Sequence, residues 1–299
     1  MQVLAEQLEN FIPKEKIRCN EPMSGHTTFR IGGPAKYLVE PEDTEQLVQV
    51  LKLLRAEKEP YFILGNGSNL LVSDEGYDGV VVKIGPAMSR IQVEGSRITV
   101  GAGALMSQVA RAALEHGLAG LEFASGIPGT LGGGIVMNAG AYGGELSQVV
   151  RQVTVLTREG DIRVMDNAAM DFGYRYSVVK KEDLIVTEIV MELQNGDKVK
   201  IKDTMDDLAV RRREKQPLEY PSAGSTFKRP EGYFAGELIM KAGLRGYQVG
   251  GARVSDKHCG FVVNMGGATA KDVHTVITDV QDKVKEVFGV DLEPEVIFL

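Results

Sequence analysis

Three short segments carry side chains able to grip an anion or move a proton. Ser225 lies in Pro221-Ser-Ala-Gly-Ser-Thr-Phe-Lys-Arg-Pro230, where Gly224 and the tight Ala-Gly-Ser turn let its hydroxyl approach a ligand closely. A nucleophilic role has no support, since no GxSxG elbow surrounds it and no nearby histidine could act as base. The ordinary alternative is a turn serine bonding its own backbone. Arg175, in Asp171-Phe-Gly-Tyr-Arg-Tyr-Ser177, has a guanidinium that can hold a carboxylate through two parallel hydrogen bonds and stays charged throughout. Its competing role is a surface ion pair, worth little energetically. Glu293 and Glu295 flank Pro294, so an extended chain points both carboxylates the same way and pattern alone does not choose between them. A cation, a hydroxyl and a carboxylate are the parts that stabilise developing negative charge and then protonate it.

Glycine-rich stretches supply the second kind of chemistry. Residues 125–144 run Ser-Gly-Ile-Pro-Gly-Thr-Leu-Gly-Gly-Gly-Ile-Val-Met-Asn-Ala-Gly-Ala-Tyr-Gly-Gly, with eight glycines. Such a run has few side chains to bury but can present successive backbone N–H groups to a pyrophosphate. Upstream, the apolar Tyr61-Phe-Ile-Leu64 opens into Gly65-Asn-Gly-Ser-Asn-Leu70. Two such turns after strand-like runs point to one large phosphate-bearing ligand. Neither GxxxxGK[ST] nor GxGxxG occurs, so Walker and Rossmann sites have no support.

These groups sit in a chain of 299 residues, enough for two domains or three small ones. A hydrophobic content of 43% and a charged content of 25% are those of a globular protein in water. Glycine, at 35 residues, exceeds the usual share of about 7%. The net charge of −7 argues against general nucleic-acid binding. Cys19 and Cys259 make no CxxC and no disulfide framework, which suits a reducing compartment. Met1 to Arg18 lacks a signal-peptide core, and no apolar run approaches the ~20 residues of a membrane span. A cytoplasmic protein without membrane contact is expected, and a monomer in the absence of any assembly element.

Periodicity predicts a helix over 3–11, a loop through Pro13 and Pro22, and a helix after the Asp43/Gln46 capping box. Strands are predicted at 61–64, 79–84, 90–94 and 97–101, then a helix from Ala104 to His116 stopped by Gly117. A hairpin joins 150–157 to 161–165 across Arg158-Glu-Gly160, and a strand follows over Leu184–Leu193. Beyond residue 200 come a charged helix at 203–214, a helix at 234–242 and a strand at 260–264. A long helix opens at Thr269/Asp272 and ends at Gly289, ahead of a last strand at 296–299. The fold class is α+β.

The combination Thr28-Phe-Arg-Ile-Gly-Gly-Pro-Ala35, Leu64-Gly-Asn-Gly-Ser-Asn-Leu-Leu71 and Gly126-Ile-Pro-Gly129…Asn138-Ala-Gly-Ala-Tyr-Gly143 resembles the vanillyl-alcohol-oxidase-type FAD-binding fold. Within it, the chain is similar from about residue 20 to 299 to the UDP-N-acetylenolpyruvoylglucosamine reductases, the family that completes UDP-N-acetylmuramate for peptidoglycan. The resemblance implies two FAD-binding subdomains, 1–75 and 76–202, and a smaller α/β substrate-binding domain, 203–299, whose final strand returns to the FAD-binding part. It implies FAD held by Gly65, Asn66, Gly67, Ser68, Asn69 and Leu70. A second group, Ser125, Gly126, Ile127, Pro128, Gly129, Thr130, Gly132 and Gly133 with Asn138 and Gly140, completes that site. NADPH is the implied hydride donor.

By the same resemblance Ser225 is the proton donor, Arg175 holds the developing enolate and Glu295 is the acidic residue of the terminal motif. Burial of Glu295 near the flavin would raise its pKa and let it act protonated. Tyr174, Lys215, Lys228, Arg229 and Lys241 are the implied substrate contacts, Lys215 on the diphosphate. Arg229 departs from the family's usual asparagine. Arg211, Arg212 and Arg213 cannot all face one ligand from a helix. The short interval between Arg175 and Lys215 matches the family's shorter second type, without a lid tyrosine. His26, His116, His258 and His274 show no metal spacing, and the glycine loops contain no histidine or cysteine, so non-covalent FAD is expected. The competing functions are a flavin oxidase of the same fold acting on a small alcohol or sugar, and a redox-silent nucleotide-sugar-binding module.

Overall fold

A computed structural model describes residues 2–299, with side chains from residue 4 onward. Its helices are α1 (Gln2–Leu8), α2 (Thr44–Ala56), α3 (Met106–Glu115), α4 (Leu131–Val136), α5 (Val178–Lys181), α6 (Lys198–Lys215), α7 (Ala235–Lys241) and α8 (Ala270–Phe288). A four-stranded sheet takes the order 17–22, 34–39, 77–83, 61–64, its last two strands parallel with Tyr61 opposite Val80. A five-stranded sheet takes the order 162–166, 150–156, 185–192, 97–101, 91–94, antiparallel throughout.

The chain divides into two compact units whose segments interleave in sequence: 1–19, 37–66 and 79–211 form one, and 20–36, 67–78 and 212–299 the other. Each has its own apolar core. In the first, α2 buries Leu47, Val50, Leu51 and Leu54, the stripe that a 3.6-residue period places on one face. The strand Ile185–Glu192 adds Ile185, Val186, Ile189 and Met191 to that core. In the second, α8 buries Val273, Val276, Ile277, Val280 and Val284 around the three short strands 248–249, 252–254 and 262–264. The final strand, Ile297–Phe298, lies parallel to Leu70–Leu71.

Asp43 caps α2, although Gln46 returns its bond to the Glu42 N–H rather than to Asp43, and Thr269 with Asp272 forms a full capping box on α8. The Gln46 N–H donates to Asp43 Oδ1 at 2.8 Å. The Asp272 N–H donates to Thr269 Oγ1 at 3.0 Å, and Asp272 Oδ2 accepts the Thr269 N–H at 3.1 Å. Asp272 also accepts the Gly251 N–H at 3.2 Å, tying the helix start to a strand turn. The Thr269 N–H, followed by that of Gly251, holds the Asp272 carboxyl below the usual carboxylate range. Thr269→Ala should therefore cost about 1 kcal/mol, a drop of roughly 2 °C in melting temperature. A carboxylate with a lowered pKa stabilises the fold above its unfolded value, and that contribution is lost as pH falls through the folded one. The stability gap between wild type and Asp272→Asn, read by denaturant titration, should narrow below about pH 4.

Several elements differ from expectation: residues 17–22, expected in a loop, and 34–39 form strands. Helix α6 begins at Lys198, five residues before the predicted 203, and buries only Ile201. Helix α4 runs through Gly132-Gly133-Gly134, where glycine's poor helix propensity predicts a loop. Packing decides against propensity there, since Leu131, Gly132, Gly134 and Ile135 are all buried.

Candidate active site

In the first unit Gly65 and Asn66 meet the second glycine segment, while Gly67 and Ser68 belong to the other unit. A Cβ on Gly65 would lie 2.3 Å from Thr130 Oγ1, so any larger residue there must displace the Thr130 side chain. The Asn66 side chain donates to the Pro128 carbonyl and clamps the same two segments. Among the described residues, the N–H groups of Asn66, Gly67 and Ser68 donate to no protein acceptor. Successive unspent donors in a tight turn fit a pyrophosphate.

At the start of α4 the backbone N–H groups donate within the protein. Leu131 donates to Ala104 O at 2.7 Å, Gly132 to Ala102 O at 2.9 Å, and Gly133 to Thr130 Oγ1 at 3.3 Å. Gly140 serves a small ribbon, pairing with Glu145. Asn69 and Leu70 lie in the second unit and hold the end of the chain there. Asn69 Nδ2 donates to Glu295 O at 2.9 Å, its carbonyl accepts from Ile297 N at 3.0 Å, and Leu70 pairs with Ile297.

Arg175 sits near the tip of a tight hairpin in the first unit. Gly173 and Tyr176 exchange backbone hydrogen bonds of 3.0 and 3.3 Å across it. The Arg175 guanidinium lies 5.2 Å from the Tyr174 ring centroid, within cation–π range. Tyr174 itself is 56% exposed.

In the second unit the Glu295 backbone bonds that of Thr226, the residue after Ser225. Ser225 is exposed between the left-handed Gly224 (φ 77°) and the buried Thr226. Thr226 is fixed on three sides. Its N–H donates to Gly260 O at 2.8 Å, its Oγ1 accepts from Val262 N at 2.9 Å, and its carbonyl accepts the Glu295 N–H at 2.8 Å. The last bond sets Glu295 beside the residue that follows Ser225. The side chains of the two glutamates differ in exposure. Glu295 is half-buried, whereas Glu293 points to solvent with its side chain 69% exposed and pairs with Lys228.

The remaining cations are mostly engaged on the protein. Lys228 is neutralised by Glu293, and Lys241 pairs with Glu237 at 2.6 Å along α7. Arg229 stacks 4.0 Å above Phe234 and donates to Tyr233 O at 3.3 Å. Arg211 pairs with Asp207, Arg212 bonds Gln216, and the Arg213 carbonyl accepts from Lys257. Lys215 closes α6 and is exposed.

Comparison with known proteins bears on this arrangement. A model of the FAD binding domain matches residues 35–166, and one of the C-terminal domain of UDP-N-acetylenolpyruvoylglucosamine reductase matches 216–299. The reductase of that name from Caldanaerobacter subterraneus subsp. tengcongensis is 52% identical over 295 residues, covering 99% of this chain and 97% of its own. The chain belongs to the UDP-N-acetylenolpyruvoylglucosamine reductase family. Its relative from Clostridium perfringens (strain SM101 / Type A) is 53% identical over 289 residues, covering 97% of this chain and 95% of its own. The crystal structure of the family member from Thermus caldophilus superposes with a TM-score of 0.81 at 37% identity, covering 93% of this chain and 97% of that one. Ser225 and Glu295 both fall inside the region matched by the family's C-terminal model. Arg175 and Lys215 fall between the two matched regions, so their assignment rests on local geometry and motif.

Proposed function

We propose that Ser225, Arg175 and Glu295 carry the reduction of UDP-N-acetylglucosamine enolpyruvate to UDP-N-acetylmuramate, a step of peptidoglycan precursor synthesis. The observation supporting it most directly is the bond from the Glu295 N–H to the Thr226 carbonyl, which sets the acidic candidate next to the serine turn. FAD, when bound, supplies hydride chemistry with NADPH as donor, leaving binding, charge stabilisation and proton delivery to the protein.

The substrate's alkene carries a carboxylate, and hydride addition at one carbon leaves enolate-like charge at its neighbour. Arg175 meets that charge with a permanent cation. Ser225 holds the proton that the neighbouring carbon takes, and Glu295 donates a hydrogen bond to the same developing anion. The Asn66–Ser68 donors hold the FAD pyrophosphate, and Ser125 to Thr130 also contribute to cofactor binding. Gly132 and Gly133 contribute close packing. Lys215 takes the substrate diphosphate with Tyr174 nearby. Lys228 and Lys241 must leave Glu293 and Glu237 to reach a phosphate. Arg229 stands where the family's asparagine would, on the Phe234 ring. Free thiols at Cys19 and Cys259 suit a reducing cytoplasm, and no described helix is long and apolar enough to cross a membrane.

The visible spectrum tests the class. Purified protein should be yellow, bleach on anaerobic addition of NADPH, and regain its colour on addition of the enolpyruvyl sugar. A colourless protein that still binds UDP sugars, or colour restored by oxygen alone with rapid consumption of a small alcohol, would overturn it.

A further inference from the structure

We infer that Asn138 and Ser177 are positioning residues that lock the Arg175 hairpin to the end of α4, and so fix the guanidinium relative to the glycine-rich segment. Neither role follows from an assignment to cofactor or substrate. This inference rests on the reading of Arg175 given above.

The hairpin does not hold its shape unaided. Asp171 and Arg175 are both left-handed, with φ of 46° and 55°, which costs energy for residues bearing a Cβ and persists only where the surroundings impose it. Two buried side chains impose it. Asn138, 2% exposed, accepts the Ser147 N–H on Oδ1 at 2.9 Å. That bond orients the amide, so Nδ2 faces the Gly173 carbonyl and donates to it at 3.2 Å. The same carbonyl accepts from Tyr176 N across the hairpin, so Asn138 grips its closing pair. Both polar ends of this side chain are therefore spent on the protein.

Ser177 makes the second tie. It is fully buried at the position preceding α5, where serine ordinarily caps its own helix, yet it makes no such bond. Its Oγ donates instead to Val136 O at 2.9 Å, one of the carbonyls that the end of α4 leaves without a helical partner. Val178 N then donates to the carbonyl of buried Met170 at 2.9 Å, closing the loop on itself. The arginine is thus tied on both sides to the helix that follows the segment 125–130.

The test uses Asn138→Asp and Ser177→Ala. Aspartate keeps the acceptor for Ser147 but sets an oxygen against the Gly173 carbonyl. In cofactor-free protein both variants should exchange the Tyr176 amide hydrogen faster than wild type. In the loaded enzyme each should lower kcat for the enolpyruvyl sugar on the order of 10- to 100-fold. Ser177→Ala should keep its FAD content and its rate of bleaching by NADPH. In the Arg175→Ala background neither change should lower kcat further, because both act through that guanidinium. Fully additive losses, or wild-type kcat with unchanged Tyr176 exchange, would overturn the inference. An Arg175→Ala variant with wild-type kcat would instead sink the reading of Arg175, and the tether would then stand or fall on amide exchange alone.

Discussion

Ser225→Ala should separate the two halves of the reaction. NADPH should bleach the variant as fast as wild type, because nothing in that step calls on the serine hydroxyl. Turnover of the enolpyruvyl sugar should fall by about 10²- to 10⁴-fold, the usual contribution of a positioned proton donor. The fold should survive, since Ser225 is exposed while its neighbour Thr226 makes the three bonds that fix the loop. Thr226 supplies the contrasting control. Thr226→Val removes the acceptor for Val262 N and should lower the melting temperature, whereas Ser225→Ala should leave it unchanged. Anaerobic stopped-flow with NADPH, followed by mixing with the second substrate, reads both steps. Slow bleaching in Ser225→Ala would show that the hydroxyl serves NADPH or the cofactor and would remove it from proton delivery.

The parts of this protein that were legible in its sequence are those written in local code. The Asp43 cap and the Thr269/Asp272 box mark helix starts because their side chains satisfy N–H groups within the same turn. The apolar run 61–64 and the Arg158-Glu-Gly160 turn place a strand and a hairpin for equally local reasons. The strands 17–22 and 34–39 escaped notice because they lack alternation: Ile17-Arg-Cys-Asn-Glu-Pro22 is half polar and buries no residue fully. Interleaving of the two units is invisible for a related reason, as residues 20–36 and 67–78 join the second unit through distant partners such as the Asp74 carboxylate on the N–H groups of α8.

The site divides in the same way. Ser225, Arg175 and the glycine turns are proposed for the site on the strength of their motifs. The ion pairs of Lys228 and Lys241, the spent N–H groups of α4 and the tie from Asn69 to Glu295 are long-range or geometric facts. Asn138 and Ser177 could have been suspected from one signal only, polar residues inside otherwise apolar or glycine-rich runs.

Glu295 carries the second large effect, and its test also chooses between the two glutamates. If its task is to donate a hydrogen bond to developing charge, Glu295→Gln retains an N–H there and should lose about 10-fold in kcat. Glu295→Ala retains nothing and should lose about 10²- to 10³-fold, the cost of deleting one donor to a developing anion. Glu293→Ala breaks an exposed pair with Lys228, a class of interaction worth about 0–1 kcal/mol, and should change kcat by no more than a few-fold. The backbone bonds from Glu295 N to Thr226 O and from Asn69 Nδ2 to Glu295 O do not depend on its side chain, so each variant should keep the terminal strand in place. Equal collapse of Gln and Ala with FAD retained would mean that the carboxylate charge, or a proton that glutamine cannot release, is what the reaction needs. A large loss in Glu293→Ala with Glu295→Ala near wild type would reverse the assignment, moving the acid to the exposed member of the pair and making Lys228 its partner in the site.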